Sequence, residues 1–180
     1  MKHILILFFL LSSCNNFAES FDEILEGAES GNKYAQHNLA LMYLEGAEKI
    51  SQDYTEAERW FLSAAKQGIR DAQFNLGTLY SKGYMGVQRN YESAAYWFRQ
   101  AARQEDINAQ YNLGLAYASG KGVLKNNIRA YVWWTIAANQ GHSNAVRNLN
   151  IVSKRLSSKE LAEGKVMLSN CESSSYQDCD

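Results

Sequence analysis

"AQHNLALMY" from Ala35 to Tyr43 returns as "AQFNLGTLY" from Ala72 to Tyr80 and as "AQYNLGLAY" from Ala109 to Tyr117. The step is 37 residues both times, and a degraded fourth copy opens at Ala145, 36 residues further on, with Leu149 in the register of Leu39, Leu76 and Leu113. Self-similarity at a short fixed period marks a chain of stacked supersecondary units. In each full copy the leucine and the tyrosine stand four apart, which places them on one face of a helix.

A different block precedes these: "AERWFLSAAKQG" from Ala57, "AAYWFRQAARQE" from Ala94 and "AYVWWTIAANQG" from Ala130. Each repeat therefore holds two helices. Trp60/Ala64, Phe61/Ala65, Trp97/Ala101 and Trp133/Ala137 set an aromatic one turn from a small residue, where a neighbouring helix can approach closely. Asp53, Asn90 and Asn126 stand four residues before the aligned alanines and read as N-caps. Gly31, Gly68 and Gly141 stand four residues before the alanine of the second helix and suit a left-handed C′ position. Glu105 occupies that place in the third copy. A non-glycine residue there costs roughly 1–2 kcal/mol, so this turn is either differently shaped or strained. Gly46, Gly83 and Gly120 stop the second helices, and "SFDE" from Ser20 and "SSKE" from Ser157 form capping boxes at the two ends. The sequence has no proline to interrupt a helix, and 46% apolar against 21% charged residues indicates a globular chain.

These blocks resemble Sel-one-like repeats, the tetratricopeptide-related class of antiparallel helix pairs, from about Phe21 to Arg155. The resemblance rests on the alanine pairs, on "AQ-x-NLG-x-x-Y" and on "G-x-G-V" at Gly120 to Val123. It implies an all-α, right-handed α/α superhelix of about four helix pairs, with repeats at 21–52, 53–89, 90–125 and 126–156, a capping helix at 157–168 and a polar tail at 169–180. The end copies depart from the pattern. Glu23 and Ile24 stand where Trp60 and Phe61 would be, Ala40 replaces the glycine of Gly77 and Gly114, and Ser153 replaces the tyrosine. End repeats face solvent on one side, so a loss of bulky groups is expected of caps.

The N-terminus reads as an export signal. Lys2 and His3 precede an apolar run from Ile4 to Leu11 that ends in Ser12, Ser13 and Cys14. That run covers far less than the ~30 Å hydrocarbon core, so it is not a membrane span. "LSSC" resembles a bacterial lipobox, which implies a signal peptide at 1–13, diacylglycerol on Cys14 and a lipid-anchored linker at 14–20. The alternative is an ordinary cleavable signal with a site after Ala18. Asn15 and Asn16 follow the cysteine, and in lipoproteins of this kind such residues go with transfer to the outer membrane. The resemblance thus implies an outer-membrane lipoprotein facing the periplasm. With Cys14 acylated, Cys171 and Cys179 remain, either as a disulfide formed in an oxidising compartment or as two free thiols.

Lys and Arg total 18 against 19 for Asp and Glu, so net charge offers no general attraction for nucleic acid. Ser63 and Lys66 form an S-x-x-K, but the other copies place Gln100/Arg103 and Ile136/Asn139 there, and no K-T-G or S-D-N accompanies it. His3, His37 and His142 form no ligand cluster, and the paired glycines Gly83/Gly86 and Gly120/Gly122 read as turns between helices. No catalytic residue, metal or cofactor is therefore expected. The expectation is a non-catalytic adaptor or scaffold of the bacterial cell envelope. It would bind a protein or cell-wall component on a concave face lined by first helices and touch the membrane only through its anchor. Arg59, Tyr96, Arg99 and Arg103 are the candidate partner-binding residues, offering guanidinium groups and an aromatic ring to an acidic ligand. The alternatives are a β-lactamase-like, penicillin-binding envelope enzyme acting through Ser63, and an exported factor that engages host proteins.

Overall fold

The computed structural model describes residues 21–46 and 50–179. Cys14, and Ser20 of the first expected capping box, lie outside them. Regular structure among the described residues is helical throughout: α1 (Phe21–Glu29), α2 (Lys33–Glu45), α3 (Tyr54–Lys66), α4 (Arg70–Lys82), α5 (Tyr91–Arg103), α6 (Ile107–Ser119), α7 (Asn127–Asn139), α8 (Ser143–Ser153) and α9 (Ser158–Ser173). Consecutive helices from α1 to α8 pack on one another along the chain, and α9 folds back onto α7. The result is a helical solenoid closed at its C-terminal end.

The repeat sequence dictates these boundaries. Asp53 accepts from the N–H groups of Thr55 and Glu56, Asn90 from that of Ser93 and Asn126 from that of Arg129, so α3, α5 and α7 start with orphan donors satisfied. First helices end in one shared turn. After α3 the Gly68 N–H donates to the Ala65 carbonyl at 3.0 Å and the Ile69 N–H to that of Ala64 at 3.2 Å, the bond pair of a Schellman motif. Glu105 makes the same turn after α5, donating to Ala102 at 3.0 Å, and sits at φ 64° where Gly68 sits at 85°. Of the two outcomes the sequence leaves open for Glu105, the structure takes the strained one. Ser157 and Glu160 form the capping box that opens α9.

An amide pair with one buried and one exposed member recurs at each joint. Gln36, Gln73 and Gln110 are the glutamines of the "AQ" motif, and they donate through Nε2 to the carbonyls of Ala28, Ala65 and Ala102. Their Oε1 atoms accept from Nε2 of Gln67, Gln104 and Gln140, at 2.8 Å in every case. One side chain thus ties the end of the preceding helix to the end of the next first helix, with both the nitrogen and the oxygen of the buried amide partnered. Close approach is set by the "NLG" glycines, since a Cβ on Gly77 would strike the ring of Phe98 and one on Gly114 the ring of Trp134.

Two apolar clusters fill the solenoid, one over α1–α4 and one over α5–α9, and Tyr80 packs against both. The C-terminal end differs from its sequence reading. A cap helix at 157–168 and a polar tail at 169–180 were expected, yet α9 continues to Ser173, and Cys171, Tyr176 and Cys179 pack into the core. Gly164 lets α9 lie against Tyr131 and Ile128 of α7. Cys171 and Cys179 are joined as a disulfide with Cα atoms 4.4 Å apart, and both are buried.

Candidate functional site

First helices turn one face away from the Trp/Ala packing seam, and equivalent positions on it are Arg59 on α3, Tyr96 on α5 and Val132 on α7. One turn further on stand Leu62, Arg99 and Thr135, then Lys66, Arg103 and Asn139. The structure treats the three helices differently. Tyr96 is 51% exposed, while Val132 is fully buried in the cluster that holds Cys171 and Cys179. The face is open on α3 and α5 and sealed on α7 by α9.

Each expected binding residue has local partners. Arg59 pairs with Glu56 at 2.7 Å, and its guanidinium lies 4.0 Å from the ring centroid of Trp60. Tyr96 sets its ring edge-on to Trp97, centroids 4.9 Å apart. Arg99 donates through Nη2 to the hydroxyl of Tyr117 at 2.8 Å. Arg103 donates to the backbone carbonyl of Gln177 at 3.0 Å, so the C-terminal segment already occupies it. Arg59, Tyr96 and Arg99 are therefore brought onto one open face, and Arg103 marks its closed end.

Two tyrosines behind this face have roles that the sequence reading did not give them. Tyr80 donates its hydroxyl to Glu58 at 2.7 Å. Burial first, and the bonded Glu58 carboxylate second, push the Tyr80 hydroxyl well above the ordinary tyrosine range. Tyr80 and Tyr117 close the "NLG-x-x-Y" motif, so both repeat tyrosines send a hydroxyl from a second helix to a polar group on a first helix. The signal was the tyrosine's recurrence where leucine alone would fill a core.

A second surface lies between successive second helices. A groove of about 330 Å³ is bounded by Tyr91, Phe98, Asn112 and Leu115 among others. Another of about 270 Å³ is bounded by Tyr54, Asn75 and Thr78. Tyr54, Asn75 and Thr78 are the counterparts of Tyr91, Asn112 and Leu115 one repeat earlier, so this is one groove built twice.

The chemistry for turnover is not assembled around Ser63, whose hydroxyl donates to the Arg59 carbonyl of its own helix at 3.1 Å while Lys66 points to solvent. Among the described residues no group of three or more His, Cys, Asp or Glu could hold a metal ion, and no helix is long and apolar enough to cross a membrane. His37 packs its ring 5.8 Å from that of Phe61, with Nε2 buried and without a partner.

Repeated helix pairs, Gln-tied joints and an open first-helix face define a solenoid of the interaction-module class. The Sel1 repeat pattern matches residues 33–69, 70–106 and 107–142, more than half of the chain, and the protein belongs to the Sel1 repeat family. Members of this family generally serve as protein-interaction scaffolds and not as enzymes. The pattern's units pair α2 with α3, α4 with α5 and α6 with α7, which are the most extensively packed pairs in the structure.

Solved structures agree. A Sel1 repeat protein from Oxalobacter formigenes superposes with a TM-score of 0.67 at 36% identity, over 72% of this chain and 52% of that one. A protective antigen present in uropathogenic Escherichia coli strains, with an SLR fold, gives 0.63 at 26% identity over 87% and 42%. Helicobacter pylori cysteine rich protein B shares the fold at 0.55 and 20% identity, over 74% of this chain and 100% of that one. The chain thus spans about half the length of the first two. No curated protein matches it.

Proposed function

We propose that this protein is a non-catalytic adaptor of the bacterial cell envelope, anchored by acylated Cys14 and facing the periplasm from the outer membrane. It captures an acidic segment of a protein or cell-wall component on the open face of α3 and α5. The observation that carries this reading is the contrast between equivalent positions: Arg59 and Tyr96 are exposed, while Val132 is buried under α9. A face kept open over two repeats and closed at the third has a defined length and end. Arg59 and Arg99 supply planar donors suited to carboxylates, and Tyr96 adds an aromatic surface of low entropic cost.

The test is a photo-crosslinking residue at position 96, compared with one at position 115 in the groove between second helices, in living cells. One adduct formed from position 96 and lost on Arg59→Ala or Arg99→Ala supports the reading. Adducts from position 115 alone would move the binding site to that groove. Covalent capture of a labelled penicillin at Ser63 would replace the adaptor with the enzyme reading. Cleavage of exposed protein by protease added to whole cells would favour a host-facing factor over a periplasmic one. Metabolic labelling with a fatty acid, lost on Cys14→Ser, tests the anchor separately.

A further inference from the structure

The turns that join each second helix to the next first helix lie along one edge of the solenoid, and their charge is not that of the whole chain. The first of them, 45–54, carries Glu45, Glu48 and Asp53 against Lys49, whereas the three later segments, 82–91, 119–129 and 153–159, hold eight of the 18 Lys and Arg residues and no Asp or Glu. The turns on the opposite edge, 29–33, 66–71 and 103–106, balance Lys33, Lys66, Arg70 and Arg103 against Glu29, Asp71, Glu105 and Asp106. Lys82, Arg89, Lys121, Lys125, Lys154 and Arg155 are all exposed, and none is ion-paired among the described residues.

The edge is continuous between its first two basic turns. Arg89 and Lys121, from different repeats, converge on the ring of Tyr91 at 5.4 and 5.1 Å. Gly122 lies so close to the carbonyl of Tyr91 that a Cβ would strike it, and Gly86 abuts Thr55 in the same way. Each turn also lifts one apolar side chain out of the protein: Met85 is 87% exposed at the tip of the Tyr84–Val87 hairpin, and Leu124 is 89% exposed. Single exposed apolar residues are ordinary. Two at successive turns, flanked by unpaired cations, match a surface that is anionic outside and apolar beneath.

We infer that the part of this edge built by its three later turns docks on an anionic phospholipid surface. The first helices run parallel, so α1 begins at the same edge, and Cys14 precedes Phe21 by seven positions, at most about 25 Å of extended chain. An acylated Cys14 would hold the edge within reach of the headgroups. In that respect the inference rests on the anchor reading, though binding by the edge itself does not require the acyl chains.

The test uses the Cys14→Ser chain, so that no acyl group carries the binding and every variant shares the same N-terminus. Its partition onto vesicles of phosphatidylethanolamine with phosphatidylglycerol is compared with that onto phosphatidylcholine alone. Each basic residue near an anionic surface is worth roughly fivefold in partition. Lys82→Gln, Lys121→Gln and Lys125→Gln together should therefore lower partition on the order of 100-fold, while Lys33→Gln, Lys66→Gln and Lys165→Gln together should leave it near the parent value. Equal loss in both triples, or no dependence on phosphatidylglycerol, overturns the inference. Met85→Ser with Leu124→Ser should weaken vesicle binding; unchanged partition would reassign the edge to a soluble polyanion. Failure of fatty-acid labelling would remove the anchor and leave the vesicle result standing on its own.

Discussion

Arg103 on α5 donates through Nη2 to the backbone carbonyl of Gln177, 74 residues away in sequence, at 3.0 Å. The chain's last described residues are thereby pinned against the end of the open face, with the Cys171–Cys179 bridge holding the loop in shape. A cross-link closing a loop of this size stabilises by about 2–3 kcal/mol through the unfolded chain. Cys171→Ser with Cys179→Ser should lower stability by that amount and speed hydrogen exchange at 174–179 and in α7. Arg103→Ala removes one half-exposed bond and should cost under about 1 kcal/mol. Denaturant midpoints of the two variants check the ranking, and equal losses would mean that the bridge adds nothing beyond the Arg103 contact.

Gln110 Oε1 accepts from Gln140 at 2.8 Å with no exposure to water. Gln110→Leu keeps the bulk but removes two bonds, leaving the Ala102 carbonyl with the Glu105 N–H and the exposed Gln140 amide with the Ile136 carbonyl, a loss of about 0.5–1.5 kcal/mol per bond. Gln88→Leu, at an exposed turn position, should change stability by less than about 0.5 kcal/mol. Urea unfolding of both variants decides whether the pairs hold the joints or merely fill them.

His37 is held neutral, its pKa lowered mainly by burial and only partly raised by Asp71. The unfolded chain therefore takes up a proton near the ordinary histidine value of 6.5 that the folded chain refuses until lower pH. In that window the unfolded state binds more protons, so stability falls as pH drops below 6.5 and recovers above it. His37→Phe, the residue that the next copy carries as Phe74, should flatten this slope and raise stability, because it removes a buried nitrogen without a partner. Thermal melts from pH 7.5 down to 5.5 test both effects.

Helix ends were legible because glycine, Asn and Asp act through their own backbones: Gly68 and Asn90 do in the structure what their chemistry requires wherever they occur. What α9 covers was not legible from its own sequence. The sign of it lay in α7, where Ile128 and Val132 take the positions of Glu92 and Tyr96, apolar residues on a face that is polar in the preceding repeat. Such a change means that something sits on that face, but not what. The Gln pairs were visible as recurring letters, yet a buried amide and a solvated one look alike until the partner carbonyl is placed.

Gly68 and Glu105 make the same turn with the same hydrogen bonds, so exchanging their residue types isolates the backbone term. A Cβ on Gly68 would meet nothing within 4 Å, and Gly68→Ala therefore loses only what a left-handed φ costs a side chain, roughly 1 kcal/mol. Glu105→Gly should recover a similar strain at φ 64°, less about 0.5 kcal/mol because glycine has more freedom to lose on folding. A net gain on the order of 0.5–1 kcal/mol is expected from Glu105→Gly, read as a raised denaturant midpoint at unchanged slope. If Gly68→Ala destabilises while Glu105→Gly gives no gain, then Glu105 makes a compensating contact through its side chain, and Glu105→Ala, which keeps the strain but removes that contact, should be less stable than both the parent and Glu105→Gly.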